Sequence, residues 1–139
     1  MKELITKAIN REINREGMSV RILSQATGIP KVSIYRIMAG SNLSLNTLEK
    51  LMRALDLKFT IRLKNGNIFY YSKTNVLAPY NAIRNEYFSP EFSKVKNRGL
   101  AKMANITSPT LLKILRNGNT TIKVMCRLFE VFGITIINN

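Results

Sequence analysis

The 139-residue sequence contains no histidine, one cysteine and only eight acidic residues. Without histidine there is no imidazole to serve as a general base or to complete a zinc site. The lone Cys126 excludes an internal disulfide framework and a CxxC metal pair. The acidic residues are scattered, and neither a phosphate-binding glycine loop nor a nucleophile motif is present, so no enzyme, no metal and no cofactor are expected. Long apolar runs are missing too, because the opening MKELITKAINREINREG breaks each hydrophobic stretch with charge. Neither a signal peptide nor a membrane span is expected, and the expected location is the cytoplasm.

What the chain has is positive charge. Its 22 basic residues leave a net charge of +14. The excess is even: residues 1–64 carry 12 basic against 5 acidic residues and the remainder 10 against 3, or +7 each. A folded, evenly basic chain suits a partner that carries phosphates. Anionic membranes attract such surfaces as well, but the Ile5, Ile9 and Ile13 stripe near the amino terminus reads as a packing face.

One unit is written twice. Residues 19–62 recur without a gap as residues 96–139, an offset of 77. Arg21 falls on Arg98, Leu23 on Leu100, Ile29 on Ile106, Ile37 on Ile114, Asn42 on Asn119 and Leu51 on Leu128. The chemistry agrees where identity fails, with Arg36 on Lys113, Lys50 on Arg127 and Phe59 on Ile136. An apolar pattern held in phase this long marks a repeat.

Periodicity and caps predict four helices in the first unit. Leu4, Ile5, Ala8, Ile9 and Ile13 define a helix over 3–16, stopped by Gly17. Ser19 caps a short helix with Val20, Leu23 and Ala26 inward, Thr27-Gly28-Ile29 forms a turn, and a third helix runs from Pro30 to Met38. Ser44 caps a fourth, with Leu45, Leu48, Leu51, Met52 and Leu55 inward. Phe59, Ile61 and Leu63 then alternate with polar residues as in a half-buried strand, and Asn65-Gly66 offers a hairpin turn to a strand over 68–71. A connector over 65–95 holds one helix between Tyr80 and Phe88. Pro90 would fall opposite Ile13, inside helix one, so the second unit is expected to have a rebuilt entry in place of a helix copied in register. GITII at 133–137 ends the second unit as a strand.

The string LSQATGIPKVSIYRIMAGSNLSLNTLEKLMRALDL resembles the Cro and lambda-repressor, or XRE-type, helix-turn-helix family. LAKMANITSPTLLKILRNGNTTIKVMCRLFEVFGI is similar to the same family and, within it, to antidote proteins of addiction modules. The implied fold is mainly α, with two tandem lambda-repressor-like units (1–64 and 96–139) that each end in a strand. Strands after the helical domain also resemble those of HipB-like antitoxins, which pair between protomers. By that likeness Lys58 to Leu63 and Ile134 to Asn138 would pair within one chain as a pseudo-dimer, removing edges that would otherwise template association.

The resemblance also implies roles by position. Lys31, Val32, Ser33 and Arg36 would face base edges in the first unit, and Ser19, Arg21, Ser41, Asn42 and Ser44 would lie near phosphate. In the second unit Ser108, Thr110 and Lys113 would face bases, with Lys96, Arg98, Asn117 and Asn119 near the backbone, while Pro109 replaces a hydrogen-bonding side chain. Gly28 and Asn105 hold the turn, where the backbone enters the left-handed region. Tyr35, paired with Leu112, is expected to be partly buried. Two readings of the second unit stand at this point: a working head, or a retired one that serves only to pair.

The expected function is sequence-specific binding of double-stranded DNA by a regulator, a repressor of phage, plasmid or mobile-element type reading an imperfect inverted repeat. The alternatives are an antitoxin that also captures a toxin, and a protein-interaction or inhibitor module with a degenerate helix-turn-helix. A toxin or host protein would dock on the aromatic connector, whose Tyr and Phe residues otherwise serve to cap the core. The chain would act as a pseudo-dimeric monomer or as a homodimer.

Overall fold

A computed structural model describes residues 1–138; the last residue of the second unit, Asn139, lies outside the described residues. Among these are eight helices and three strands. In chain order they are α1 (Lys2–Glu16), α2 (Val20–Thr27), α3 (Lys31–Met38), α4 (Leu45–Leu55), β1 (Phe59–Arg62), β2 (Ile68–Tyr71), α5 (Ala78–Tyr87), α6 (Asn97–Met103), α7 (Ser108–Asn117), α8 (Ile122–Phe132) and β3 (Thr135–Asn138).

Local chemistry accounts for most of these boundaries. Helix α1 buries Ile5, Ala8, Ile9 and Ile13 on one face and stops at Gly17, whose φ of 63° suits a residue without Cβ. Ser19 caps α2 by accepting from the Ile22 N–H, and Ser44 caps α4 by accepting from the Thr47 N–H. Thr121 does the same for α8. The starts of α2 and α6, of α3 and α7, and of α4 and α8 are each 77 residues apart. Helix α7 is capped by Thr107, so Pro109 occupies the second helical position.

The connector holds a correction. Helix α5 packs on α7 and α8 as α1 packs on α3 and α4. It begins one residue before a copy of α1 would begin, and its buried Ala82 and Glu86 stand 77 residues after Ile5 and Ile9. It ends at Tyr87, whereas α1 continues past Ile13. The proline at position 90 therefore shortens the entry helix instead of displacing it, since its ring clashes with the carbonyl four residues back and its missing N–H removes a helical bond, which ends α5 at Tyr87 but leaves its earlier turns intact.

The sheet has the order β2-β1-β3, with both pairings antiparallel. A hairpin through Gly66, with φ of 91°, joins β1 to β2. Across the two halves, β1 pairs with β3 in the register Phe59↔Asn138, Thr60↔Ile137, Ile61↔Ile136 and Arg62↔Thr135. A second cross-connection lies at the starts of α4 and α8. The Leu45 N–H donates to Thr120 O and the Ile122 N–H donates to Leu43 O, both at 2.8 Å, around a bridge between Ser44 and Thr121. The entry helices also cross over, α1 touching β3 and α5 touching β1.

One hydrophobic cluster runs through both halves, from Leu23, Leu48 and Phe59 to Leu100, Leu111, Phe129 and Phe132. Two side chains fall on the other side of the boundary from that expected. Ala26 is exposed, and Tyr35 is 59% exposed, with its counterpart Leu112 exposed as well. With Ile34 and Ile37 facing the core, the helical period turns position 35 away from it. In the connector Tyr71 is buried and Tyr87 donates to Asn97 Oδ1 at 2.6 Å, while Tyr70 and Phe88 stay exposed.

Cys126 is buried in α8, and burial pushes its thiol up to about 11. The thiolate is the reactive form, so iodoacetamide at pH 8 is expected to label the native chain far more slowly than the urea-unfolded chain. Equal labelling rates, read by mass spectrometry, would contradict this packing.

Candidate nucleic-acid interface

The connection between α2 and α3 is built from short polar side chains that close on their own backbone. Gly28 enters the left-handed region with φ of 74° and donates its N–H to Ser24 O. Thr27 Oγ1 donates to Leu23 O at 2.7 Å and accepts from the Ile29 N–H, and Ser24 Oγ donates to Ile29 O at 2.6 Å. These bonds satisfy the helix-end carbonyls and fix the angle at which α3 leaves. Ile34 and Ile37 anchor α3 to the core, leaving Lys31, Val32, Tyr35 and Arg36 on the outer face.

Behind that face lies an open groove of about 370 Å³. Ser33, Arg36, Ser41, Asn42, Thr47 and Lys50 supply its polar lining. The groove thus gathers two of the expected base-facing residues, Ser33 and Arg36, with two expected near phosphate, Ser41 and Asn42. Lys50 was not among the candidates, although its match with Arg127 in the repeat was a signal for it. Ser19 and Arg21 are exposed at the start of α2. Two of the candidates have structural duties: Ser44 Oγ caps α4, and Asn42 Oδ1 accepts from the Lys123 N–H at 3.0 Å across the two halves.

In the second half different side chains surround the connection between α6 and α7. Asn105, with φ of 56°, occupies the turn, and its carbonyl accepts from Arg127 Nη1 at 3.4 Å. Helix α7 turns Pro109, Leu112, Lys113 and Arg116 outward, with Ser108 and Thr110 half-buried. The Thr110 hydroxyl is shared with Thr107 at 2.8 Å. Lys96 and Arg98 are exposed at the start of α6. Asn117 at the end of α7 and Asn119 in the loop after it are exposed, and Asn117 Oδ1 accepts from the Asn119 N–H.

Charge favours the same two surfaces. No acidic residue occurs between Gly17 and Leu48 or between Phe92 and Phe129. The first of these stretches carries three basic residues and the second eight, so the second stretch presents the denser positive field. The ion pairs among the described residues join Glu3, Glu12, Glu91 and Asp56 to the amino terminus, Arg15, Lys64 and Lys73. None draws a cation from α2, α3, α6 or α7, whose basic side chains keep their charge available to an anionic partner.

Residues 8–60 match the Cro/C1-type HTH DNA-binding domain family. The match begins within α1, spans the turn at Gly28 and ends in β1, leaving the second half outside it. No curated protein and no solved structure matches the chain. The chain therefore carries a helix-turn-helix domain of a double-stranded DNA-binding, transcription-regulating type. No described helix is long and apolar enough to cross a membrane.

Proposed function

We propose that this chain, with a Cro/C1-type domain in its first half, is a repressor that reads an imperfect inverted repeat with two unequal heads. The observation that carries the proposal is a relation between the halves. The offset of 77 maps Ser44 onto Thr121 and Thr60 onto Ile137, and these same residues are partners across the halves. A residue paired with its own counterpart lies on a two-fold axis. Exchange of the halves also sends Phe59↔Asn138 onto Ile61↔Ile136, and the Leu45-to-Thr120 bond onto the Ile122-to-Leu43 bond. An isologous dimer interface follows the same rule, and this supports reading the two halves as a pseudo-dimer within one chain.

Two-fold pairs of such heads suit half-sites in opposite orientation, about 34 Å apart on B-form DNA. The heads differ where base edges would be met: Lys31 against Ser108, Val32 against Pro109, and Arg36 against Lys113. Lysine and arginine donate to guanine, and valine meets a thymine methyl, so the two half-sites would differ in sequence. The second head, with its proline, would rely more on phosphate, in keeping with its denser charge.

Selection from random duplexes at fixed salt tests this. The wild type is expected to enrich a two-part motif, with Arg36→Ala relaxing preference in one part and Lys113→Ala in the other, each at a cost of about 1–3 kcal/mol. Absence of any enriched motif would remove the reading. An effect of Arg36→Ala alone would make the second half a structural partner.

A further inference from the structure

A recognition helix is held at two ends, and in this fold the far end of each is held by the helix that enters its half. In the first half Asn10 on α1 donates through Nδ2 to Met38 O at 2.9 Å, and also to Thr6 O at 3.0 Å. In the second half Tyr80 on α5 donates through its hydroxyl to Leu115 O at 2.7 Å, and Arg84 Nη1 donates to the same oxygen at 3.1 Å. Arg84 also donates to the Tyr80 hydroxyl at 3.0 Å. Met38 and Leu115 are 77 residues apart, so the carbonyl served is the same in both halves. The donors are not counterparts: Asn10 corresponds to Tyr87, and Tyr80 and Arg84 correspond to Glu3 and Lys7. Unrelated side chains thus reach one equivalent point, which argues that this point needs a donor.

The need follows from helix ends. Carbonyls of the last turn lack an intrahelical partner and carry the negative end of the helix dipole, so an amide, a phenol or a guanidinium stabilises them. The lever is long enough to matter. From Met38 to Lys31 is about 10 Å at a rise of 1.5 Å per residue, so a tilt of about 10° about the held end moves Lys31 by about 2 Å. A shift of that size takes a side chain out of hydrogen-bond range of a base edge.

The geometry points to Asn10, and to the Tyr80–Arg84 pair, as positioning residues that set the pitch of α3 and α7 and so fix base preference one half-site at a time. This rests on the DNA-reading role proposed above. The second clamp is the firmer one: it adds charge, and Arg84 lies over the rings of Tyr80 and Phe88, 5.3 and 5.2 Å from their centroids.

The test uses the full chain with Asn10→Leu, and separately with Tyr80→Phe plus Arg84→Leu. Base preference is read by selection at fixed salt, alongside the salt slope of affinity and the melting temperature. Asn10→Leu is expected to cut discrimination about tenfold in the half-site relaxed by Arg36→Ala, and the double variant to do so in the half-site relaxed by Lys113→Ala. The salt slope should hold, because the phosphate-facing cations remain. Arg84→Lys with Tyr80→Phe keeps a donor at the carbonyl and should restore preference. If the Leu-bearing double variant does not fold, Tyr80→Phe alone should give a smaller loss in the same half-site. A fall in melting temperature with both preferences intact, or equal relaxation of both half-sites, overturns the assignment. A wild type without a motif removes the DNA-reading proposal and this one with it, whereas a wild-type motif left unmoved by the variants removes only this one.

Discussion

Phe59→Ala is expected to lower the free energy of unfolding by about 3–5 kcal/mol, out of a total of about 5–15 kcal/mol for a domain of this kind. Phe59 is fully buried at the start of β1, the central strand, and its ring centroid lies 6.2 Å from that of Tyr71 on β2. Truncation removes the aromatic contacts and leaves a cavity that a central strand cannot collapse to fill. The manner of unfolding matters as much as the size. Strand β1 belongs to the first half by sequence, yet it hydrogen-bonds to β3 and is packed by α5. Both halves are therefore expected to melt together, in one transition shifted to lower temperature. Calorimetry showing a second half that melts at its wild-type temperature would mean that the two halves fold independently.

Gly118→Ala is expected to cost about 3 kcal/mol, from about 1–2 kcal/mol for a non-glycine residue in the left-handed region plus a steric conflict. Gly118 ends α7 with φ of 71°, and a Cβ there would stand 2.9 Å from three atoms of Tyr80. That ring cannot retreat freely, because its hydroxyl is bonded to Leu115 O. Gly28→Ala provides the control: it has φ of 74° but nothing within 4 Å of the added carbon, so about 1 kcal/mol is expected. Urea denaturation ranks the two. Equal costs would show that Tyr80 gives way, and with it the firmness assigned to the second clamp.

Much of this architecture could be read along the chain because its signals are local. Ser19, Ser44, Gly17 and the leucine face of α4 specify helix ends and burial within a few residues. The turn at Gly28 and Asn105 was legible for the same reason, since few side chains tolerate positive φ. Errors arose where one period met two surroundings. Tyr35 looked like a partly buried position from its pairing with Leu112, but nothing local states which side of α3 lacks a covering element. At Pro90 the sequence showed a broken copy of α1 and concealed that its first two turns survive as α5. Within the candidate interface, the outward placement of Lys31, Arg36 and Lys113 was implied by the family resemblance. The duty of Asn42 toward Lys123, 81 residues away, did not.

By itself the sequence determined the period of each helix, the caps that end them, the 77-residue offset and the sign of the surface charge, because each depends on residues close in the chain or on composition alone. Only the tertiary structure decided that Ser44 meets Thr121 and Thr60 meets Ile137, that α5 serves the second half as α1 serves the first, and that Asn10 and Tyr80 with Arg84 reach the same carbonyl. Those contacts join segments far apart in the chain. Their formation depends on both halves packing at once, which no window of neighbouring residues encodes.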